Sequence, residues 1–245
     1  MRLMVWTVPR AISTAFERAL IEHPETSVHH EPFALAWYYG PERVSSRYAH
    51  TPPRAGATCA EGVARLLADP CPYTIAKVMA YCAIHRLDEI PLRDFSHAAL
   101  IRDPARTVRS LWRASHDTEG TGWDHFEERE IGYTQLESLL EQAEAQTGHA
   151  PVILDADELL TAPAAGMAAW CRAVGLPYTE AMLTWEPGPV PGWEAWPGWH
   201  DAALKSSGLR QRDRTEPPPP PPHLAAYIER ATPIYQRLYA RRLTF

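Results

Sequence analysis

The sequence predicts an α/β domain: three layers, α/β/α, with a mainly parallel central sheet between the helices. Three observations predict it. Short apolar runs of strand composition alternate with amphipathic helical segments through the first two thirds of the chain. Two of those runs, ending at Trp6 and Ile101, lead through a polar turn into a new helix, as strand-to-helix units do. A length of 245 residues with 45% hydrophobic content is enough for one domain with a sizeable core. A single domain over residues 1–245 is therefore expected.

Leu3–Trp6 reads as a buried strand that runs into a Pro-Arg turn. Ala15–Glu22 is helical, with Ala15/Ala19 and Phe16/Leu20 paired at i, i+4. Ser27–His30 is a second short strand, halted by Pro32, and residues 41–58, rich in Pro, Arg, Ser and Gly, are a long loop. Cys59–Leu67 predicts a helix, and Tyr73–Met79 and Phe95–Ile101 predict strands. Asp103 and Pro104 then supply the N-cap and first residue of a helix. Leu136, Leu139, Leu140 and Ala143 stripe a helix that stops at Gly148, and Val152–Leu154 is again strand-like. Pro163–Val174 is a helix closed by Gly175. Residues 185–222 differ: four of the nine tryptophans fall among Pro and Gly between 185 and 199, followed by the polyproline run Pro217–Pro222, an extended spacer or part of a lid. Residues 223–245 predict a pair of helices divided at Thr232-Pro233.

Composition excludes several functions. A formal net charge of -6 and the lack of a basic run argue against nucleic-acid binding. No apolar run reaches the roughly 18–20 residues of a membrane span, and MRLMVWTVPR is too short in its apolar part for a signal peptide. Cys59, Cys71, Cys82 and Cys171 show no metal-ligand spacing, so free thiols in a reducing cytoplasm are expected. Only Lys77 and Lys205 are lysine among 24 basic residues. An anionic ligand would require a few cations gathered at one place against the background field.

Two segments have that character. Thr7-Val8-Pro9-Arg10-Ala11-Ile12-Ser13-Thr14 joins a strand to a helix N-terminus, whose unpaired N–H groups and positive dipole end hold phosphates. Thr14 and Glu17 also fit a capping box that needs no ligand. The glycines and Lys-Ser/Thr pair of a Walker A loop are absent, which disfavours an NTPase or kinase. In the second segment Arg102 sits at a strand's carboxyl tip, with Arg106 and Ser110 on the following helix face.

Together, WTVPRAISTA, HHEPFA, IAKVMA, LIRDPARTVRS, IGYTQL and MLTWEPGP followed by GWEAWPGWH resemble the PAPS (3′-phosphoadenosine-5′-phosphosulfate)-dependent sulfotransferases. Within that superfamily the chain is most similar to a bacterial and plant group sometimes fused to aminotransferase-like domains. The resemblance implies a P-loop NTPase-like sulfotransferase fold, sulfuryl transfer from PAPS with PAP as product, no metal, and a small-molecule acceptor carrying a hydroxyl or amine. A nucleotide-binding module of the same fold without transfer activity is the alternative.

By the same resemblance, Arg10, Ala11, Ile12, Ser13 and Thr14 would hold the 5′-phosphosulfate, with Arg10 facing the sulfate. Arg102, Ser110 and Arg106 would hold the 3′-phosphate. Lys77 would share the sulfate or the bridging oxygen, and Lys205, Arg210 and Arg212 would be further cofactor contacts. Glu31, just before Pro-Phe, is the expected base, with His30 in reserve; packing is the competing role for His29 and His30. Adjacent strand residues point to opposite faces, so these histidines are not expected to share a metal. Trp6 is placed to stack on adenine, and Trp185–Trp199 either wall an apolar acceptor pocket or pack as a surface loop. The oligomeric state stays open.

Overall fold

In the computed structural model, which describes residues 1–210 and 221–245, the sequence's alternation becomes five strands. They are β1 (Arg2–Thr7), β2 (Thr26–His30), β3 (Tyr73–Met79), β4 (Ser96–Ile101) and β5 (Val152–Asp155). Among the described residues they form one sheet in the order β2-β3-β1-β4-β5, with every neighbouring pair parallel. The helices are α1 (Ser13–Ile21), α2 (Ala34–Tyr39), α3 (Cys59–Ala68), α4 (Ala80–Ala83), α5 (Pro104–Ala114) and α6 (Tyr133–Thr147). They continue with α7 (Ala156–Thr161), α8 (Pro163–Val174), α9 (Asp201–Leu204) and α10 (Pro222–Ala240).

Because both faces of a parallel sheet are covered, its strands are apolar on both sides. Met4, Trp6, Ala76, Val78, Ala99, Ile101 and Ile153 point into one core, which also holds Val108 of α5 and Leu136 of α6. Leu3, Val5, Ile75, Ala98, Leu100 and Leu154 point into the other, against Phe16 of α1 and Trp170 of α8. The alternation decides where Lys77 goes. Paired in register with Val5 and His30, it lies on the α1 side of the sheet, as does His30, while His29 turns the other way.

After β1 the chain moves to one side of the sheet, and after β3 it crosses to the other. The carboxyl ends of β1 and β4 therefore flank the crevice where open α/β sheets bind ligands. Asp103 caps α5 by accepting the Ala105 amide at 2.7 Å, and Pro104 occupies the first helical position, as predicted. The helix ends at Gly148 and Gly175 are also as predicted, each glycine being left-handed with φ of 72° and 79°.

The expected division at Thr232-Pro233 is not found. α10 is one continuous helix with Pro233 inside it. Leu224, Ala231 and Leu238, seven apart, form one buried stripe, and the helix packs against α5, α6 and the sheet. Arg230, Arg237 and Arg241 pair with Glu128, Glu137 and Glu144. Packing along that length outweighs the single backbone hydrogen bond that the proline removes. Most of the polyproline run lies outside the described residues. No helix among the described residues is long and apolar enough to cross a membrane.

Trp170 stands edge-on to Phe16, ring centroids 4.9 Å apart, and both are fully buried. This contact fixes α1, and with it the loop before α1, onto the sheet. Trp170→Ala is expected to destabilise the protein by about 3–5 kcal/mol in chemical denaturation. A loss below about 1 kcal/mol would show that α1 is held by other contacts.

Candidate active site

The β1–α1 loop is built without glycine, yet Arg10 and Ile12 have left-handed backbone, φ 65° and 57°. Each costs of order 1–3 kcal/mol for a non-glycine residue, a strain that concentrates at functional sites. The capping box at Thr14–Glu17 does not form. Ile12 occupies the N-cap, and no side chain caps α1. The positive end of α1 is therefore left facing the crevice, and Glu17 is released for another role.

A cavity of about 1080 Å³ opens over the carboxyl ends of the strands. Arg10, Ile12, Ser13, Thr14, Arg102, Arg106, Ser110 and Arg210 all line it, as do Arg109 and Arg113, which the sequence reasoning did not select. Six arginines among the described residues meet at one opening, in a chain of net charge -6, and are the local concentration of cations that an anion requires. Arg102 and Arg106 share the carboxylate of Asp157, at 3.2 and 3.3 Å, and Arg102 also donates to the Arg10 carbonyl at 3.2 Å. The Arg10 and Arg102 loops thus meet on one side of the sheet. Arg10 Nε donates to Ser110 Oγ at 3.0 Å, so the two segments singled out in the sequence are joined by this bridge.

Other expectations need correction. Ala11 is fully buried and does not line the cavity. Trp6 is buried in the core below the sheet end, donating to His97 Nδ1 at 3.0 Å, and is unavailable to an adenine ring. Lys205 is mostly exposed beside Asp201 at 3.9 Å and does not line the cavity. Arg212 lies outside the described residues. Lys77 is the largest correction. It does not line the cavity; with no exposed surface, its ammonium lies against Glu31 and against Glu17 at 3.3 Å. A buried ammonium needs counter-charges at contact distance, and these two carboxylates supply them.

Glu31 does line the cavity. It has left-handed backbone, φ 42°, and its amide donates to the Lys77 carbonyl at 2.9 Å, so the strand end turns its carboxylate towards Lys77. Behind it, His30 Nδ1 donates to Glu17 at 2.8 Å, and His30 Nε2 lies 3.8 Å from Glu31 with no hydrogen-bond partner. His29, on the opposite face, donates instead to Asp69 at 2.6 Å. Burial opposes ionisation of Glu17, but Lys77 and His30 outweigh it and hold the carboxyl down at about 2. Glu31 is lowered as well: burial pushes upward, Lys77 and His30 pull harder. For Lys77 the sign reverses. Burial favours the neutral amine, yet Glu31 and Glu17 keep its proton affinity raised.

Three contributors came from parts of the chain to which sequence reasoning gave no such role. Glu17 sits on α1. Trp193 and His200 come from the Trp/Pro-rich segment. Trp193 Nε1 donates to Glu17 at 2.9 Å. His200 lines the cavity, lies 3.4 Å from Thr14 Oγ1, and stands edge-on to His30 at 4.8 Å. Burial first, then Lys77 and His30, push the His200 imidazole down to about 3, so it is neutral at pH 7. The signal for Glu17 was a charged residue on the apolar side of a helix whose neighbours Phe16 and Leu20 are core.

The Trp/Pro-rich segment divides between two duties. Trp196 and Trp199 line the cavity with Tyr38, Tyr81 and Trp123, whereas Trp185 and Trp193 pack inward through hydrogen bonds to Ser206 and Glu17. The aromatic wall is continuous: Trp123 is 4.5 Å from Trp199 and 5.6 Å from Tyr38, and Tyr38 is 5.3 Å from Trp196. Tyr38 and Tyr81 share a hydrogen bond at 3.0 Å.

A family model described as a sulfotransferase domain matches residues 1–242. Two curated Arabidopsis thaliana proteins are similar. Branched-chain-amino-acid aminotransferase-like protein 1 is 24% identical over 95% of this chain and 40% of its own length. Branched-chain-amino-acid aminotransferase-like protein 2 is 29% identical over 58% of this chain and 24% of its own length. The chain thus spans less than half of either relative. Among solved structures, a sulfotransferase from Alicyclobacillus acidocaldarius superposes with a TM-score of 0.54 at 13% identity, covering 99% of this chain and 96% of that one. The sulfotransferase domain from the curacin biosynthetic pathway gives 0.55 at 14% identity, covering 97% and 96%. The fold is the one these structures share, and the family model extends over nearly the whole chain: the protein belongs to the sulfotransferase family.

Proposed function

We propose that the protein transfers a sulfuryl group from PAPS to a hydroxyl or amine of a small, largely apolar acceptor. The observation that carries the reading is one cavity lined by two chemically different sets of residues. Arginines and an uncapped helix N-terminus make one set; an aromatic wall and Glu31 make the other. Arginines, hydroxyls and helix amides are donors for a polyanion rather than ligands for a metal, so the first set fits PAPS. PAPS would supply the activated sulfuryl group. Ser13, Thr14 and the first amides of α1 would bind its 5′-phosphosulfate, and Arg102, Arg106 and Ser110 its 3′-phosphate. Arg10, fully charged at neutral pH, would stabilise charge on the transferring group rather than donate a proton.

The acceptor must lose a proton as its oxygen or nitrogen bonds to sulfur. Glu31 faces the cavity and takes it. Pairing with Lys77 weakens Glu31 as a resting place for that proton, and His30 Nε2, 3.8 Å behind, receives it next. Lys77 therefore acts on Glu31 and not on the sulfate. Transfer proceeds in line, with rate enhancement coming from positioning and from cations around the sulfuryl oxygens. The aromatic wall of Tyr38, Tyr81, Trp123, Trp196 and Trp199 would hold the acceptor's apolar body.

Thermal shift with PAP and with ATP tests the donor. PAP is expected to stabilise the protein by about 2.7 kcal/mol at 100 times Kd, and ATP by much less; equal shifts would remove the PAPS assignment. Arg102→Ala is expected to weaken PAP at least tenfold, since a charge-assisted contact of roughly 1.5–3 kcal/mol is lost. Unchanged affinity in calorimetry would reject that contact. Glu31→Gln is expected to bind PAP normally and turn over about 10²-fold or more slowly. Wild-type turnover in that variant would leave His30 as the primary base, while PAP binding without turnover in the parent protein would identify a nucleotide-binding module.

A further inference from the structure

Glu17 makes more hydrogen bonds than a merely tolerated buried carboxylate requires. It is 1% exposed, and three polar groups converge on it from three different elements. His30 Nδ1 comes from the end of β2 at 2.8 Å, Lys77 Nζ from β3 at 3.3 Å, and Trp193 Nε1 from the Trp/Pro-rich segment at 2.9 Å. The groups facing His30 are Glu17, Glu31, Lys77 and the neutral His200, with the Trp193 ring alongside at 5.9 Å. An ionised carboxylate accepts hydrogen bonds and cannot donate one. The imidazole must therefore carry its proton on Nδ1, which leaves Nε2 pointing towards Glu31.

We propose that Glu17 is a positioning residue for the proton-accepting histidine: it holds His30 in the Nδ1-protonated tautomer and stabilises the imidazolium formed when Nε2 takes the acceptor's proton. The step balances. The acceptor's lone pair forms the new bond to sulfur, and the bond from sulfur to the leaving phosphate breaks with its electron pair going to that phosphate. The released proton passes by way of Glu31 to His30 Nε2. Trp193 keeps the second lobe of the Glu17 carboxylate occupied, so the segment that walls the acceptor side also sets the geometry of the proton acceptor. This proposal rests on the sulfotransferase mechanism proposed above.

The test combines a spectroscopic readout with kinetics. In ¹⁵N-histidine-labelled protein at alkaline pH, the His30 ring, assigned by its loss in His30→Gln, is expected to be protonated at Nδ1. Protonation at Nε2 with a bare Nδ1 would overturn the proposal, and this measurement is made on the wild-type protein, with His30→Gln serving only to assign the signal. In Glu17→Gln the amide can donate to Nδ1, so the ring is expected to switch to the Nε2–H form. Turnover is then expected to fall about 10²-fold or more while PAP affinity in calorimetry stays within about threefold. An unchanged ring signal, or PAP affinity falling as far as turnover, would reduce Glu17 to a packing role. Failure of wild-type protein to bind PAP would sink the donor reading without touching the tautomer result.

Discussion

Lys77 is the point on which the site is built. Its ammonium has no exposed surface, and removing such a charge from water costs several kcal/mol unless opposite charge meets it at contact distance. Glu17 from α1 and Glu31 from the turn after β2 meet it there, and so tie helix, strand end and loop together. Breaking one partner of a buried pair costs about 3–5 kcal/mol, because the other charge is left stranded. The same requirement turns Glu31, which lines the cavity, back towards Lys77 and brings Glu17 within reach of His30. A charge that must be neutralised thereby organises groups that would otherwise have no reason to meet.

Strain and charge are distributed accordingly. The non-glycine residues with positive φ among the described residues are Arg10, Ile12 and Glu31. All three line the cavity. Two of them shape the loop that leaves the first turn of α1 uncapped, and the third aims a carboxylate. Across the opening Arg10, Arg102 and Arg106 are held in place by Ser110, Asp157 and backbone carbonyls, so these three are organised before any anion arrives. Such preorganisation lets positioned charges act without rearrangement at the moment of reaction.

The Trp/Pro-rich segment closes the remaining side. Its polar ties to the domain run from Trp193 to Glu17, from His200 to Thr14, from Arg10 to the Trp199 carbonyl at 3.2 Å and from Arg18 to the Glu186 carbonyl at 3.5 Å. Each of these contacts ends on a residue of the β1–α1 unit. A loop without regular structure is thus tied directly to the β1–α1 turn, which links the aromatic wall to the arginine-lined part of the cavity through hydrogen bonds rather than through the core.

Patterning and turn chemistry are local, and what depends on them could be read from the residues in order. All five strands, the α5 cap at Asp103-Pro104, the Gly148 and Gly175 ends, and the loops carrying Arg10 and Arg102 follow from short-range periodicity and dihedral preference. Pro233 shows the limit of that reasoning: the local penalty was real, but packing along nineteen residues of α10 overrode it. The site needed more still. Whether Lys77 faces a sulfate or two carboxylates depends on what α1 places over β3, a contact between residues sixty positions apart in the chain. The motifs that contain Glu17, Trp193 and His200 do not announce these roles, because the roles come from the three residues meeting around a buried charge. Periodicity assigns a face to each residue; only the packed chain decides what that face touches.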